Sequence, residues 1–297
     1  MMRKVTVAAT QMTCSSDRKD NMARAEALVK KAAIAGANII LLQELFETPY
    51  FCQKERVAFF KYATRVEDNP AVRCFSDIAG ELGVVLPISF FETVNNVHFN
   101  SLVVIDADGT VLDIYRKTHI PDGPGYEEKF YFSPGDTGFK VWDTRYGTIG
   151  AGICWDQWFP ETARCLALAG AELIFFPTAI GSEPEDPDYD SKEHWQTCMQ
   201  GHSAANMVPV ITSNRIGKET LEDSTITFYG ASFITDNKGQ VIARADRKTQ
   251  TFITAEFDLD ALALERRGWG IFRDRRPEMY HRLLTLGGSF HTGKGLP

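Results

Sequence analysis

Hydrophobic and polar residues repeat along this chain with two different periods. Over residues 20–35 the apolar positions recur every three or four residues, which predicts an amphipathic helix that Gly36 closes. Residues 38–42 form a continuous apolar run, which is typical of a buried strand. The first residues of the chain alternate as a strand does. Strands and helices are therefore expected to follow one another from the beginning of the chain.

The same helix and strand pattern returns in the second half. Residues 161–169 predict a helix that ends at Gly170, and residues 169–177 match residues 35–43 position by position. Two such units predict two half-sheets related by a pseudo-twofold axis, each covered by helices. Glycine-containing turns at residues 106–109 and 236–239 predict hairpins in both halves. The pattern as a whole indicates a layered α/β fold.

Composition limits the size and the partners of this fold. The 297 residues are 44% hydrophobic and 24% charged, which is enough for a large core. No long Gly/Ser or Pro linker divides the chain, so we expect a single domain over residues 1–286 and a flexible tail over 287–297. The net charge of −7 argues against a nucleic acid or an anionic membrane as partner.

Two further features concern the compartment. No apolar segment approaches the length of a membrane span. The six cysteines show no paired spacing, which favours reduced thiols over a disulfide framework. A soluble cytoplasmic protein is the expectation.

Three reactive side chains follow predicted strands. Glu44 follows the first buried strand, Lys117 follows residues 111–115, which we interpret as a second buried strand, and Cys154 follows a strand of small residues. Each has an ordinary alternative: a solvated glutamate, a surface lysine and a buried free cysteine. Because Cys154 also precedes a helix start, a thiolate is expected there. A carboxylate, an ammonium and a thiol at three strand ends together predict an active site.

The residues around these three positions resemble the nitrilase superfamily of carbon–nitrogen hydrolases. The matching segments are Leu41-Leu-Gln-Glu44, Tyr115-Arg-Lys117-Thr-His and Gly152-Ile-Cys154-Trp-Asp156. The resemblance implies an α/β fold, a four-layer α-β-β-α sandwich, and no metal or cofactor. It implies that Glu44 is a general base, that Cys154 is the nucleophile, and that Lys117 and the Trp155 N–H stabilise an oxyanion. A further family carboxylate maps onto Glu128.

Later segments are similar to one branch of this superfamily, which hydrolyses the ureide of N-carbamoylputrescine in polyamine biosynthesis. These segments cover residues 179–185, 193–195, 214–217, 228–233 and 269–277. Such a substrate ends in an ammonium group, so its pocket should contain acid. The loop over residues 183–190 carries five carboxylates, and Glu183 is the expected ammonium partner. Aromatic residues near the strand ends are the expected wall for the four-carbon stem: Tyr50, Phe51, Phe130, Trp155 and Trp158.

Other interpretations remain open at this point. A relative acting on N-carbamoyl amino acids or β-ureido acids would need a cation for the substrate carboxylate, and Arg215 could supply it. A catalytically inactive scaffold on the same fold is disfavoured because all three reactive residues are present. His194, Cys198 and His202 are four residues apart, a spacing that suits a metal, although such side chains more often pack.

The resemblance also concerns assembly. Members of the superfamily pair through helices beside the nucleophile, and their C-terminal arms often cross to the partner. Residues 262–286 fit that description, so a homo-oligomer built from dimers is expected.

Overall fold

The structure is a computed structural model, and it describes residues 3–186 and 188–289. Most of the expected tail, residues 290–297, lies outside the described residues. The helices are α1 Arg18–Ile34, α2 Pro70–Leu82, α3 Pro160–Leu168, α4 Lys192–Asn206 and α5 Leu259–Trp269. The strands are β1 Lys4–Gln11, β2 Ile39–Leu41, β3 Leu86–Val94, β4 Val97–Ile105, β5 Val111–Arg116, β6 Val141–Thr144, β7 Gly147–Ala151, β8 Leu173–Pro177, β9 Val210–Ser213, β10 Ile216–Leu221, β11 Ser224–Tyr229, β12 Phe233–Thr235, β13 Val241–Arg244 and β14 Thr251–Asp258.

The strands form two main sheets and a separate hairpin. One sheet has the order β13-β12-β9-β8-β7-β6, with β7, β8 and β9 parallel. The other consists of β14-β1-β2 and β3-β4-β5, which join through a parallel bridge between Ile39 and Val85. The hairpin β10–β11 stands apart from both sheets. The two sheets therefore correspond to the two half-sheets that the repeated pattern predicts.

Three hydrophobic clusters define the layers. The central cluster lies between the sheets and includes Val7 of β1, Leu41 of β2 and Phe175 of β8. A second cluster packs α1 and α2 against β2, β3 and β4. A third packs α3 and α4 against β8, β9 and β12. The order of layers is helices, sheet, sheet, helices, which confirms the α-β-β-α sandwich.

Local chemistry explains where the helices begin and end. α1 starts two residues before the predicted helix because the Asp17 side chain accepts hydrogen bonds from the backbone N–H groups of Lys19 and Asp20. Gly36 and Gly170, which follow α1 and α3, have φ angles of +92° and +106°. Residues with a side chain rarely adopt this left-handed conformation, so glycine ends both helices.

One prediction about burial is wrong. β5 is not a buried strand: its side chains alternate in exposure, and only Tyr115 is fully buried. β5 is partly exposed because it pairs with β4 alone and forms the edge of its sheet. Among the described residues, no helix combines the length and the apolar character that crossing a bilayer requires.

Candidate active site

The three predicted strand ends meet inside the sandwich. Glu44 lies three residues beyond β2, Lys117 directly follows β5, and Cys154 lies three residues beyond β7. Glu44 and Lys117 are fully buried, and Cys154 is 7% exposed. Charged side chains are rarely buried unless they are paired, and these two form an ion pair.

Lys117 lies between two carboxylates. Its Nζ donates to Glu44 Oε1 at 2.9 Å and to Glu128 Oε2 at 2.6 Å. Asn100 Nδ2 donates to the same Glu44 Oε1 at 2.7 Å, and the Tyr50 hydroxyl donates to Glu128 Oε1 at 2.8 Å. The other oxygen, Glu44 Oε2, is buried and accepts no hydrogen bond from any described residue. Glu44 therefore keeps one oxygen available for a proton.

Burial and mutual charge set the protonation of this group. Burial by itself lowers the pKa of the Lys117 ammonium, but Glu128 and Glu44 outweigh it and hold that pKa well above its ordinary value. Burial raises the pKa of Glu128 to about 7, against the opposing effect of Lys117. Lys117 therefore remains a cation, while Glu128 changes charge near neutral pH.

Cys154 begins a single turn of 3₁₀-helix, Cys154–Trp158, and has a φ of +43°. That backbone conformation is strained for a residue with a side chain, and such strain is common at functional sites. The absence of a side chain at Gly152 lets the backbone before Cys154 lie close to Phe176, since a Cβ at Gly152 would be 2.9 Å from a ring carbon of Phe176. Cys154 therefore lies at the junction between the end of β7 and the 3₁₀ turn.

The thiolate expected from the sequence is not what the structure indicates. Burial raises the pKa of the Cys154 thiol well above its usual value, and Glu44 raises it further, while Lys117 opposes them. The next α-helix begins only at Pro160, so the positive end of a helix dipole is not adjacent to the sulfur. A raised pKa favours the neutral thiol over the thiolate, so a nucleophilic role for Cys154 would require a neighbouring base.

A cavity of about 350 Å³ opens onto Cys154 and Glu128. It contains two further carboxylates, Asp122 and Glu183, and among the described residues no lysine or arginine lines it. Its full lining is Pro121, Asp122, Gly123, Pro124, Tyr126, Glu128, Cys154, Trp155, Trp158, Ala179, Ile180, Glu183, Tyr189, Ser191 and His194. The cavity is therefore acidic and partly aromatic, which suits a cation with an apolar stem.

Neighbouring elements hold the loop that carries Glu183. Gly181 N donates to the Tyr126 hydroxyl at 3.1 Å, and that hydroxyl donates to the Ser182 carbonyl at 3.2 Å. Ser182 N donates to the carbonyl of Thr227 in β11 at 3.0 Å. Partial burial raises the pKa of Glu183, and the charge of Asp186 raises it further.

The five aromatic residues that the sequence proposed as the wall divide into two groups. Trp155 and Trp158 line the cavity. Tyr50, Phe51 and Phe130 do not, and this part of the expectation is wrong. Tyr50 is fully buried behind Glu128, Phe51 stacks on Phe91 with ring centres 5.2 Å apart, and Phe130 packs against Tyr131. These three rings stabilise the aromatic cluster behind the site.

Arg215 is also not a cavity residue. It is fully buried, donates from Nη1 to Glu219 Oε1 at 2.9 Å, and donates from Nη2 to the carbonyls of Glu44 and Leu45 at 3.1 and 2.7 Å. All of these acceptors belong to the protein. Arg215 therefore cannot bind a substrate carboxylate without breaking these hydrogen bonds.

The three residues with metal-like spacing on α4 make other contacts. His202 Nε2 lies 2.7 Å from the Gln157 carbonyl, and the His194 ring packs against Trp158 with ring centres 4.8 Å apart. Cys198 packs against the hydrophobic cluster of α3 and α4. Across residues 3–186 and 188–289, no three His, Cys, Asp or Glu side chains form a group that could hold a metal ion.

Sequence reasoning missed several residues of the site. Asn100, which binds Glu44, was visible as a polar residue in the apolar run 99–105. Asp122, Tyr126 and His194 line the cavity, but their sequence neighbourhoods resemble ordinary loops and helices. Only folding brings them to Cys154.

Comparison with known proteins adds to this geometry. The family model for carbon–nitrogen hydrolases matches residues 6–267. An N-carbamoylputrescine amidase of Oryza sativa subsp. japonica is 57% identical over 289 residues, which cover 96% of each chain. A citrullinase of Francisella tularensis subsp. tularensis is 51% identical over 95% of this chain and 99% of that protein. The crystal structure of a carbon–nitrogen hydrolase from Helicobacter pylori G27 superposes with a TM-score of 0.90 at 38% identity, covering 95% of this chain and 99% of that one.

Proposed function

We propose that this chain, which belongs to the carbon–nitrogen hydrolase family, hydrolyses N-carbamoylputrescine to putrescine, ammonia and carbon dioxide. Relatives that carry the name N-carbamoylputrescine amidase are 56–57% identical over nearly the full chain. The observation that carries the proposal is the acidic cavity beside Cys154, because this substrate is an uncharged ureide attached to a cationic chain. The reaction would form putrescine as a step in polyamine biosynthesis.

In the first chemical step, the free oxygen of Glu44 takes the proton of the Cys154 thiol. The sulfur then bonds to the ureide carbon, and the carbonyl oxygen becomes an oxyanion. The Lys117 ammonium and the N–H of Trp155 are the donors for that oxygen. N–H groups in the first turn of a helix have no partner within that turn, so the Trp155 N–H is suited to this role.

The second step breaks a carbon–nitrogen bond of the tetrahedral intermediate. The leaving nitrogen takes the proton held by Glu44 and departs as a neutral amine or as ammonia, which leaves the carbonyl group on sulfur as a thioester-like intermediate. Water, deprotonated by Glu44, then attacks that carbonyl, the carbon–sulfur bond breaks, and the proton held by Glu44 passes to the departing sulfur, which restores the Cys154 thiol. The released carbamate decomposes to carbon dioxide and the second nitrogen product. Glu128 positions Lys117 throughout.

Recognition of the distal end is a separate part of the proposal. The substrate ammonium binds Glu183, and its four-carbon stem lies against Trp155 and Trp158. A partly buried carboxylate discriminates charge better than one in open water, because screening is weaker there. Asp122 adds a second negative charge to the lining.

Citrulline is the second candidate substrate, because one relative at 51% identity is named a citrullinase. Citrulline carries a ureide and an ammonium, but it also carries a carboxylate. In this cavity the carboxylate would face acid, with Arg215 bound to protein groups. The same argument disfavours N-carbamoyl amino acids and β-ureido acids.

The test is ammonia release from N-carbamoylputrescine, citrulline and N-carbamoyl-β-alanine, each at the same concentrations. We expect the highest kcat/KM for N-carbamoylputrescine, and a loss of about a thousandfold or more in Cys154→Ala. Cys165→Ala is the matched control, because Cys165 is exposed and lies outside the cavity. Preference for citrulline would overturn the substrate, and no turnover of any ureide would favour an inactive scaffold.

We also propose a homo-oligomer built from dimers. Side chains that follow or belong to α5 expose apolar surface that one chain alone leaves uncovered: Leu264, Trp269, Met279, Leu283, Leu284 and Leu286. Light scattering should give a mass above one chain, and Trp269→Glu should lower it. A monomer at micromolar concentration would contradict the proposal.

The six free cysteines support a cytoplasmic location.

A further inference from the structure

Asp156 is a buried carboxylate that no step of the proposed mechanism uses. It is 0% exposed and accepts hydrogen bonds from two separate segments. Its Oδ1 accepts from the backbone N–H of His119 at 2.9 Å and lies 2.8 Å from His119 Nδ1. Its Oδ2 accepts from the Tyr115 hydroxyl at 2.7 Å and from the backbone N–H of Ile153 at 2.9 Å. A carboxylate only accepts, so His119 Nδ1 is the donor in its bond.

These partners surround the two residues that must act together. Tyr115 and His119 lie two residues before and two residues after Lys117. Ile153 directly precedes Cys154, whose backbone is in the strained left-handed region. One carboxylate therefore joins the strand end that carries the ammonium to the turn that carries the thiol.

The His119 ring is itself fixed on its other side. It stacks on Phe159 with ring centres 3.7 Å apart and an interplanar angle of 6°. Phe159 follows the 3₁₀ turn of Cys154, so the stack adds a second contact between the same two segments. The stack holds the plane of the imidazole ring, and Nδ1 faces Asp156.

We propose that Asp156 is a positioning residue that holds the Cys154 sulfur and the Lys117 ammonium at the separation the reaction requires. The proposal deepens the proposed function and rests on it. The oxyanion forms only where the sulfur attacks, and the ammonium stabilises it only from hydrogen-bond distance. A misplacement of about 1 Å can lower the rate about a hundredfold.

The chemistry of the four donors explains why a carboxylate occupies this position. Asparagine has the same shape but would present an NH₂ group to one pair of donors, either those from His119 or those from Tyr115 and Ile153. Either orientation would remove bonds to the segment of residues 115–119 that carries Lys117, and the second would also remove the bond to Ile153. Asp156→Asn is therefore a sharp test of the connection between them.

We expect Asp156→Asn to lower kcat about 10- to 100-fold while KM for N-carbamoylputrescine changes less than about threefold. Cys154 should also react more slowly with iodoacetamide, measured by mass spectrometry of its peptide, because the thiol no longer faces its base. Asp236→Asn is the matched control: Asp236 accepts from the N–H groups of Lys238 and Gln240 at a hairpin turn, and it does not line the cavity. That control should leave kcat and the alkylation rate unchanged.

Alkylation needs no substrate, so it separates this proposal from the proposed function. If the wild-type protein does not hydrolyse N-carbamoylputrescine, the function fails while the alkylation comparison still tests Asp156. A folded Asp156→Asn protein with wild-type kcat and alkylation rate overturns the proposal. If that variant does not fold, Tyr115→Phe replaces it, since it removes one donor and keeps the buried ring. In Tyr115→Phe, a threefold or greater loss of kcat at unchanged KM supports the proposal, and a smaller loss overturns it.

Discussion

Glu128 shows how one buried side chain can set the pH range of a site. Its carboxylate accepts from both Lys117 and Tyr50, and it can do so fully only when ionised. Burial raises its pKa to about 7. A carboxyl with a raised pKa is protonated below that value, where it must donate one hydrogen bond instead of accepting two.

The first prediction concerns this ionisation. We expect kcat/KM to fall as pH decreases through about 7, since protonation of Glu128 disturbs the hold on Lys117. Glu128→Gln should remove that acidic limb and lower kcat more than about tenfold at pH 8. The measurement is a pH–rate profile of both proteins. An acidic limb that persists unchanged in Glu128→Gln would show that another group titrates.

The second prediction concerns the distal end of the substrate. Glu183→Gln should raise KM for N-carbamoylputrescine about tenfold or more, because a charge-assisted hydrogen bond becomes a neutral one. Glu185→Gln is the control, since Glu185 lies in the same loop, is exposed and does not line the cavity. Steady-state kinetics at two salt concentrations distinguish the two variants. Equal effects would place the ammonium elsewhere, with Asp122 as the next residue to test.

At the scale of elements, the loop over residues 181–186 depends on close contact with the hairpin β10–β11. A Cβ added at Gly181 would lie 2.6 Å from the Thr227 carbonyl oxygen and 2.8 Å from Phe228 Cα. Both atoms are backbone, so neither can move without moving the hairpin. The absence of a side chain at Gly181 is therefore what lets the acidic loop lie against the cavity.

The third prediction follows from this contact. Gly181→Ala should lower the free energy of unfolding by about 1–3 kcal/mol and should raise KM, because the loop that carries Glu183 is displaced. Gly201→Ala is the matched control: Gly201 is exposed within α4 and has no neighbour within 4 Å of an added Cβ. That control should stabilise the protein by about 0.5–1 kcal/mol with unchanged KM. Denaturant unfolding and kinetics measure both, and an unchanged KM in Gly181→Ala would contradict the argument.

At the scale of the whole molecule, Arg215 connects the two sheets. It follows β9 of one sheet, and it binds the carbonyls of Glu44 and Leu45, which follow β2 of the other. Glu219 of the hairpin neutralises its charge and also accepts from the backbone N–H of Tyr50 at 2.6 Å. One buried ion pair thus holds both sheets and the hairpin around Glu44.

The fourth prediction tests this connection. Arg215→Met should lower the free energy of unfolding by about 3–5 kcal/mol, because Glu219 would keep a buried charge without its partner. The double variant Arg215→Met with Glu219→Gln should recover part of that loss, since the uncompensated charge is gone. Urea unfolding of both proteins provides the comparison. A loss below about 1 kcal/mol in the single variant would show that the pair contributes little.

The sequence by itself determined the order of the elements, the two matching halves and the three strand ends that carry Glu44, Lys117 and Cys154. Hydrophobic period, helix-ending glycines and Gly-containing turns are local properties, so they can be recognised without contacts. The family resemblance has the same origin, because its segments are short and continuous. The fold class and the family were confirmed for these reasons.

Tertiary structure decided which polar and aromatic side chains face the cavity. Tyr50 and Arg215 are residue types that often bind substrates, but packing places both behind the site, where their polar groups bind other protein groups. Asp122 and His194 lie 72 positions apart in the chain and line one cavity. The direction of the pKa shift at Cys154 was likewise beyond the sequence, because burial and the neighbouring Glu44 raise that pKa. Orientation, burial and mutual charge depend on long-range contacts, which no local pattern encodes.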